Sequence, residues 1–519
     1  MATKVTIDPL TRIEGHMKIE ATVDGGEVKD ARCSGTLFRG FEIILKGRDP
    51  RDAQRITQRV CGVCPTVHGT ASTLNLDSAF GIADKVPDNG RIMRNIILGA
   101  NFMQSHILHF YHLTALDYVD VTAVADYSGD DPELNSVKDF ISRGELAPFS
   151  PRYEGDYRFD KKTNQALVKH YLMALEMRRL CHEMLTLFGG KMPHNAAVVP
   201  GGVTEQPTVD KITGFLWRLN KLRNFIDNVY IPDVVKVAQT YSDYFHIGNG
   251  PGNFLCYGAF DLDGTSSDYA KRKRLFNQGA VEALSRLAAF DPGKITESVK
   301  HSWYEDEEPK KPLEQETKPA ARKKDGYSWI RSPRYGGEVY EVGPLARWVV
   351  SYMSGNETVK DTLDGCVSDL GIKLGDLNSV LGRHAARALD TKVVADSMVD
   401  WLMELKPGEP VCAVYDIPDE SEGMGIVDGP RGALGHWIRI KDKRIDKYQL
   451  VVPTTWNGGP KDEKGQNGPM EQALLGTKVK DASNPFELVR IARSFDPCLA
   501  CSVHTVNFRG DRIASLRVV

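Results

Sequence analysis

At 519 residues the chain has ample length for a large buried core, on the scale of roughly three or four domains. Its net charge of −3 and pI near 6.5 carry no nucleic-acid footprint, and there is neither an N-terminal signal pattern nor an apolar run of membrane-spanning length. Nine cysteines, an odd number and mostly scattered, argue against a disulfide scaffold. In chain order, KVTIDPLTRIEGHMKIEATVDGGEVKDARCSG alternates apolar and polar residues around Gly25 and Gly26, which predicts a β-hairpin region. From about Ile43 helical spacing takes over. RIMRNIILGANFMQSHILHFYHLTALDYV, NQALVKHYLMALEMRRLCHEMLTLF and VDKITGFLWRLNKLRNFIDNVY repeat apolar residues at three and four, as buried helices do. Tyr304 to Ser328 is charged and proline-bearing with little periodicity, and predicts a solvated surface loop. HWIRIKDKRIDKYQLVVPT alternates again around a charged turn, which predicts a second hairpin. No internal repeat, Walker loop or GxGxxG supports nucleotide binding. The fold class expected is α+β and predominantly helical.

Only four cysteines are paired: Cys61 and Cys64 in RVCGVCPTVH, and Cys498 and Cys501 in DPCLACSVH. Cys33, Cys181, Cys256, Cys366 and Cys412 are isolated and read as buried thiols. Four converging thiolates suit zinc, iron, nickel or an iron–sulfur cluster. Structural zinc modules join their pairs across a short loop, because the metal there organises a fold that lacks a core. Here the pairs lie near opposite ends of the chain. If they share a metal, the two ends interlock in one large body, with the small N-terminal and C-terminal hairpins around a buried site. Further polar stretches look costly to bury: TRIEGH with Arg12, Glu14 and His16; RGFE with Arg39 and Glu42; GPRGALGHW with Arg431 and His436; VVPTTWNGGP with Thr454 and Asn457. Taken singly, Glu14 and Arg431 could be a buried ion pair, Glu42 a surface carboxylate and Thr454 a turn residue. His106, His109 and His112 share a drifting helical stripe whose aromatic neighbours predict packed, hydrogen-bonded histidines and no metal.

Together with GGKMPH at 189 to 194 and EVGPLAR at 341 to 347, these motifs resemble the large, catalytic subunit of uptake-type nickel–iron hydrogenases along essentially the whole chain. The resemblance implies an enzyme that oxidises H2 reversibly at a nickel–iron centre. Cys61 and Cys498 would be terminal on nickel. Cys64 and Cys501 would bridge to an iron bearing carbon monoxide and two cyanides. Arg431 and Thr454, with Pro453 beside it, would line the diatomic ligands, and His68 would donate to a bridging sulfur. Cys498 would accept the first proton and Glu14 relay it, with Arg431 and Asp496 as partners of that step. Glu42, the Leu450 carbonyl and His504 would hold magnesium or another divalent cation.

The family implies a body over 1–504 and a maturation extension over 505–519, cut between His504 and Thr505 by a dedicated endopeptidase after nickel-insertion factors have acted. It implies an iron–sulfur small subunit as electron acceptor, a membrane cytochrome reached through that subunit, and a periplasmic location by joint export. A cytoplasmic location stays open, as do a hydrogen sensor of the same fold, a related redox-complex subunit that lost its metal, and a structural zinc protein. Where many members place an aspartate, this chain has Ser105; where some carry selenocysteine, it has Cys498.

Overall fold

The computed structural model describes residues 2–144 and 155–502. Both expected hairpins are present, and each is extended by a third strand. Thr3–Ile7, Met17–Asp24 and Glu27–Gly35 form an antiparallel N-terminal sheet. Glu420–Gly429, Gly432–Lys441 and Arg444–Val451 form its C-terminal counterpart. The helices come where the periodicity puts them, at Asp88–Ile107, Lys161–Gly189 and Val209–Phe225. The first of these widens at its end into a π-helical turn, Leu108–Thr114, which carries His109 and His112.

A third sheet, Phe254–Asp261 with Arg274–Glu282 and Arg286–Ala288, has no counterpart in the sequence reading. Its first strand is buried on both faces, so its sequence, FLCYGAFD, shows no polar alternation to read. The helix Val380–Glu404 runs through the core between the long helices. The stretch from Tyr304 to Ser328 is irregular and only partly exposed, with Tyr304, Pro312, Gln315 and Ser328 buried and anchoring it to the body.

The two ends of the chain are laced together. Val28 N donates to Thr477 O at 3.0 Å, Gly476 N to Val28 O at 2.9 Å and Val479 N to Gly26 O at 2.9 Å. Closer to the cysteines, Leu499 N donates to Glu14 O at 2.8 Å, in a parallel bridge between Glu14 and Cys498. Gly15 makes that approach possible. Its φ is +82°, and a Cβ there would lie 2.7 Å from Leu499 Cβ and 2.9 Å from Ala500 N.

Between the ends lies the helix Pro65–Ala79, which begins directly after Cys64 with proline at its first position. It is buried on nearly every face. Gly423 and Gly425 on the facing strand let its backbone come close: a Cβ would sit 2.3 Å from Asn75 O at the first and 2.0 Å from Ala71 O at the second.

Candidate metal centre

The four paired cysteines converge, their Sγ atoms all within 4.8 Å of one another and all buried. Cys61 Sγ is 3.4 Å from Cys498 Sγ, Cys64 Sγ 3.3 Å from Cys501 Sγ, and Cys498 Sγ 3.0 Å from Cys501 Sγ. Cys64 Sγ is 3.9 Å from Cys498 Sγ, and the whole set, well beyond the ~2.05 Å of a disulfide, brackets the ~3.8 Å between sulfurs around one metal at ~2.3 Å bonds. Each pair sits at a helix start. Cys64 precedes Pro65–Ala79, and Cys498 precedes the short helix Leu499–Ser502. His68, one turn into the first helix, brings Nε2 to 3.4 Å from Cys501 Sγ.

As bare thiols the four cannot all ionise. Hydrogen bonds from Cys498, Cys501 and Cys64 stabilise a Cys61 thiolate and pull its pKa well down. Burial and the neighbouring sulfurs push Cys498 and Cys501 well up. Thiolate at all four positions therefore needs a cation among them, which is how a metal site behaves.

The surrounding polar groups are individually held. Arg431 stands in the tight turn between Glu420–Gly429 and Gly432–Lys441. Its Nε donates to Asp496 O at 3.0 Å, Nη2 to Asp496 Oδ1 at 3.0 Å and Nη1 to Ser105 Oγ at 3.3 Å. The Arg431–Asp496 pair foreseen as partners is thus in contact, and Ser105 serves as a neutral acceptor in the same cluster. Burial opposes the charge on Arg431, but Asp496 and the cysteine sulfurs outweigh it and hold the guanidinium protonated. Thr454 Oγ1 accepts from Cys498 N at 2.9 Å, which leaves its O–H proton to donate elsewhere. A small cavity opens beside the sulfurs, lined by Cys64, Val67, Arg431, Pro453, Thr454 and Cys501.

Glu14 reaches the cluster from the other side. Its Oε2 accepts from Ala500 N at 2.9 Å and lies 3.2 Å from Cys498 Sγ. Burial, then the charge of Cys61, raises its pKa, against the pull of the Ala500 amide, Cys498 and Arg431. Glu14 and Arg431 are therefore not a direct ion pair; each contacts the C-terminal cysteine segment separately.

A second buried acid cluster lies at Glu42, on the short helix Phe41–Leu45, which packs against the strand Arg444–Val451 that carries Leu450. Glu42 Oε2 is buried without a hydrogen-bond partner among the described residues, and burial raises its pKa. Sequence reasoning missed its companions. Glu297 is 1% exposed and its Oε1 is likewise unpartnered among the described residues, while its Oε2 accepts from Gln449 Nε2 at 2.9 Å and Arg331 Nη1 at 3.4 Å. Two buried carboxylates with orphan oxygens fit a hard cation. No motif marks Glu297, because its neighbours in ITES form an ordinary strand. His504 and Thr505, with the remainder of 505–519, lie outside the described residues.

Asn457 and the three helix histidines are held by ordinary hydrogen bonds and contacts within the body. Asn457 clamps Val342, accepting from its N at 3.0 Å and donating to its O at 2.8 Å. His109 Nε2 donates to Arg493 O at 2.7 Å, His112 Nε2 to Tyr171 O at 3.2 Å, and His106 lies 3.3 Å from Asp390. Burial pushes all three histidines towards neutrality, His112 to about 4.

The chain matches the family described as nickel-dependent hydrogenase over residues 39–504, and a HoxL-like family over 4–34. It is 42% identical to the periplasmic NiFeSe hydrogenase large subunit of Desulfomicrobium baculatum, covering 97% of this chain and 95% of that one. Against the uptake hydrogenase large subunit of Rhizobium leguminosarum bv. viciae the identity is 37%, covering 99% and 97%. Among solved structures, the reduced Ni-Fe-Se hydrogenase from D. vulgaris Hildenborough superposes with a TM-score of 0.86 at 44% identity, covering 97% of this chain and 100% of that one.

Proposed function

The chain belongs to the nickel-dependent hydrogenases as a large subunit, an oxidoreductase acting on H2, and on that premise we propose that its four paired cysteines hold a nickel–iron pair. Cys61 and Cys498 would bind nickel alone, and Cys64 and Cys501 both metals, with the iron carrying carbon monoxide and two cyanides. The observation that carries this reading is the convergence of four buried sulfurs from opposite ends of the chain. Zinc would suit the sulfurs alone, but it gives no reason for a carboxylate 3.2 Å from Cys498 Sγ or for a buried guanidinium beside them. Soft thiolates suit nickel, and with cysteine at all four positions the set is all-sulfur.

When bound, the metal pair would supply heterolytic activation of H2, whose net oxidation yields two protons and two electrons. The chain's own task is to move the protons and shape the pocket. Cys498 Sγ takes the first proton and passes it to Glu14 Oε2, whose raised pKa suits it to hold and then release a proton. Arg431 stays charged and cannot itself be the base. It lines the pocket as a fixed donor, oriented by Asp496. Thr454, with Pro453 behind it, offers a second donor to a diatomic ligand, and His68 a donor to a bridging sulfur.

Glu42, the Leu450 carbonyl and His504 would take magnesium or another divalent cation. We assign 505–519 to a maturation extension removed by an endopeptidase after nickel insertion, supported by the family match ending at His504. The electrons pass to an iron–sulfur small subunit, and through it to a membrane cytochrome. The relatives are named as large subunits, one of them periplasmic, and we assign this chain the same compartment. An infrared spectrum of the heterodimer tests the centre: one carbonyl and two cyanide bands are expected, with one nickel per heterodimer. A blank window in fully processed, nickel-loaded protein would overturn the reading.

A further inference from the structure

Behind the cysteine cluster, buried polar groups continue away from the metals in single file. His68 Nε2 is 3.4 Å from Cys501 Sγ, and its other ring nitrogen, Nδ1, is 3.3 Å from His436 Nε2. His436 Nδ1 is 2.8 Å from Tyr448 Oη, which is 3.0 Å from Ser72 Oγ. His68, His436, Tyr448 and Ser72 are all at most 2% exposed.

A neutral imidazole has one N–H and one lone pair, so two in series pass hydrogen-bond direction from one end to the other. Two directions are available. In one, Ser72 donates to Tyr448, Tyr448 to His436 Nδ1, His436 Nε2–H to His68 Nδ1, and His68 Nε2–H to the sulfur. In the other every bond reverses, and His68 turns a lone pair towards Cys501. A metal-bound thiolate only accepts, so the second direction sets lone pair against lone pair.

We propose that this row is a one-way tautomer lock, in which Tyr448 and His436 are positioning residues that keep His68 in its Nε2–H form as a donor to Cys501. The proposal rests on Cys501 being a metal-bound thiolate. Ser72 can complete the row in this direction, which is set at the sulfur end. On the same helix, Thr70 and Thr73 return their hydroxyl protons to the carbonyls four residues back, at 2.9 and 2.7 Å. Ser72 instead faces Tyr448, and between these two hydroxyls either can donate. A phenol both accepts and donates, so Tyr448 can take a hydrogen bond from Ser72 and give one to His436 Nδ1. The lock leaves the electron density of a bridging sulfur under the control of a tyrosine two residues removed from any ligand, since outer hydrogen bonds tune ligand basicity.

Neutron diffraction from the heterodimer crystallised in D2O reads the direction without any mutation. Deuterium is expected on Nε2 of both His68 and His436. Deuterium on His436 Nδ1 would overturn the proposal, whereas four cysteines without metal in the same crystal would overturn the reading beneath it. In solution, Tyr448→Phe removes the donor to His436 and should move or split the iron–carbonyl infrared band at unchanged nickel and iron content. Ser72→Ala leaves the Tyr448 proton in place and should keep a single band at the wild-type position. A wild-type band in Tyr448→Phe would remove Tyr448 and His436 from any such role.

Discussion

At the scale of single residues, Glu14 joins two tasks in one carboxylate. Oε2 both accepts from Ala500 N, which fixes the cysteine loop, and faces Cys498 Sγ. Glutamine separates the tasks, because its amide oxygen can still accept from Ala500 while the group no longer exchanges a proton. Glu14→Gln should therefore retain nickel and iron but lose on the order of 100-fold or more in H2-driven dye reduction, the usual scale for removing a proton-transfer group. Activity and metal content measured on one preparation decide it, and full turnover would take Glu14 out of the path. The pair Arg431–Asp496 follows a different rule. Both groups are almost fully buried, so Asp496→Ala strands a guanidinium and should destabilise the fold by about 3–5 kcal/mol, read as a drop in melting temperature.

At the scale of elements, the helix Pro65–Ala79 sets the positions of Cys64 and His68, and its depth is fixed by glycines on the facing strand. Gly425→Ala would place a Cβ 2.0 Å from Ala71 O and 2.4 Å from Asn75 N, both backbone atoms that cannot swing aside. The helix must shift. We expect a loss of about 1–3 kcal/mol or more and reduced nickel content, and a variant with wild-type melting and metal loading would show that the sheet yields instead. Elements of this kind were unevenly legible in the sequence. The long helices announced themselves because each buries one face, and the two end sheets because their strands alternate. The central sheet stayed hidden because its first strand is buried on both sides. The cysteines, Glu14 and Arg431 stood out by motif, whereas Glu297 lies on an unremarkable strand and the Tyr448–Ser72 contact joins residues 376 apart.

At the scale of the whole molecule, the fold closes by pinning distant parts of one chain together, and Glu471 is such a pin. Its Oε1 accepts from Cys33 N at 3.0 Å on the N-terminal sheet and from Tyr327 Oη at 2.9 Å on the irregular stretch, while Tyr327 Oη accepts from Lys461 N at 2.8 Å. The side chain is fully buried and, among the described residues, no lysine or arginine bonds to it directly, so burial pushes its pKa up from 4.5 to about 7, against the Cys33 amide, the Tyr327 hydroxyl and the charge of Lys461. A carboxyl whose pKa is higher folded than unfolded binds its proton more tightly in the fold. Its contribution is whole below pH 4.5 and is lost as pH rises through about 7. At about 1.4 kcal/mol per pH unit the loss amounts to roughly 3 kcal/mol. Glutamine is neutral throughout and keeps an oxygen for both donors, so Glu471→Gln should lack this slope. Melting temperatures of wild type and variant at pH 5 and pH 8 give the comparison: wild type should fall further than Glu471→Gln between the two. Parallel falls would mean that Glu471 ionises in the fold as readily as in the open chain, and that the three parts of the chain are held at this point by something other than a protonated acid.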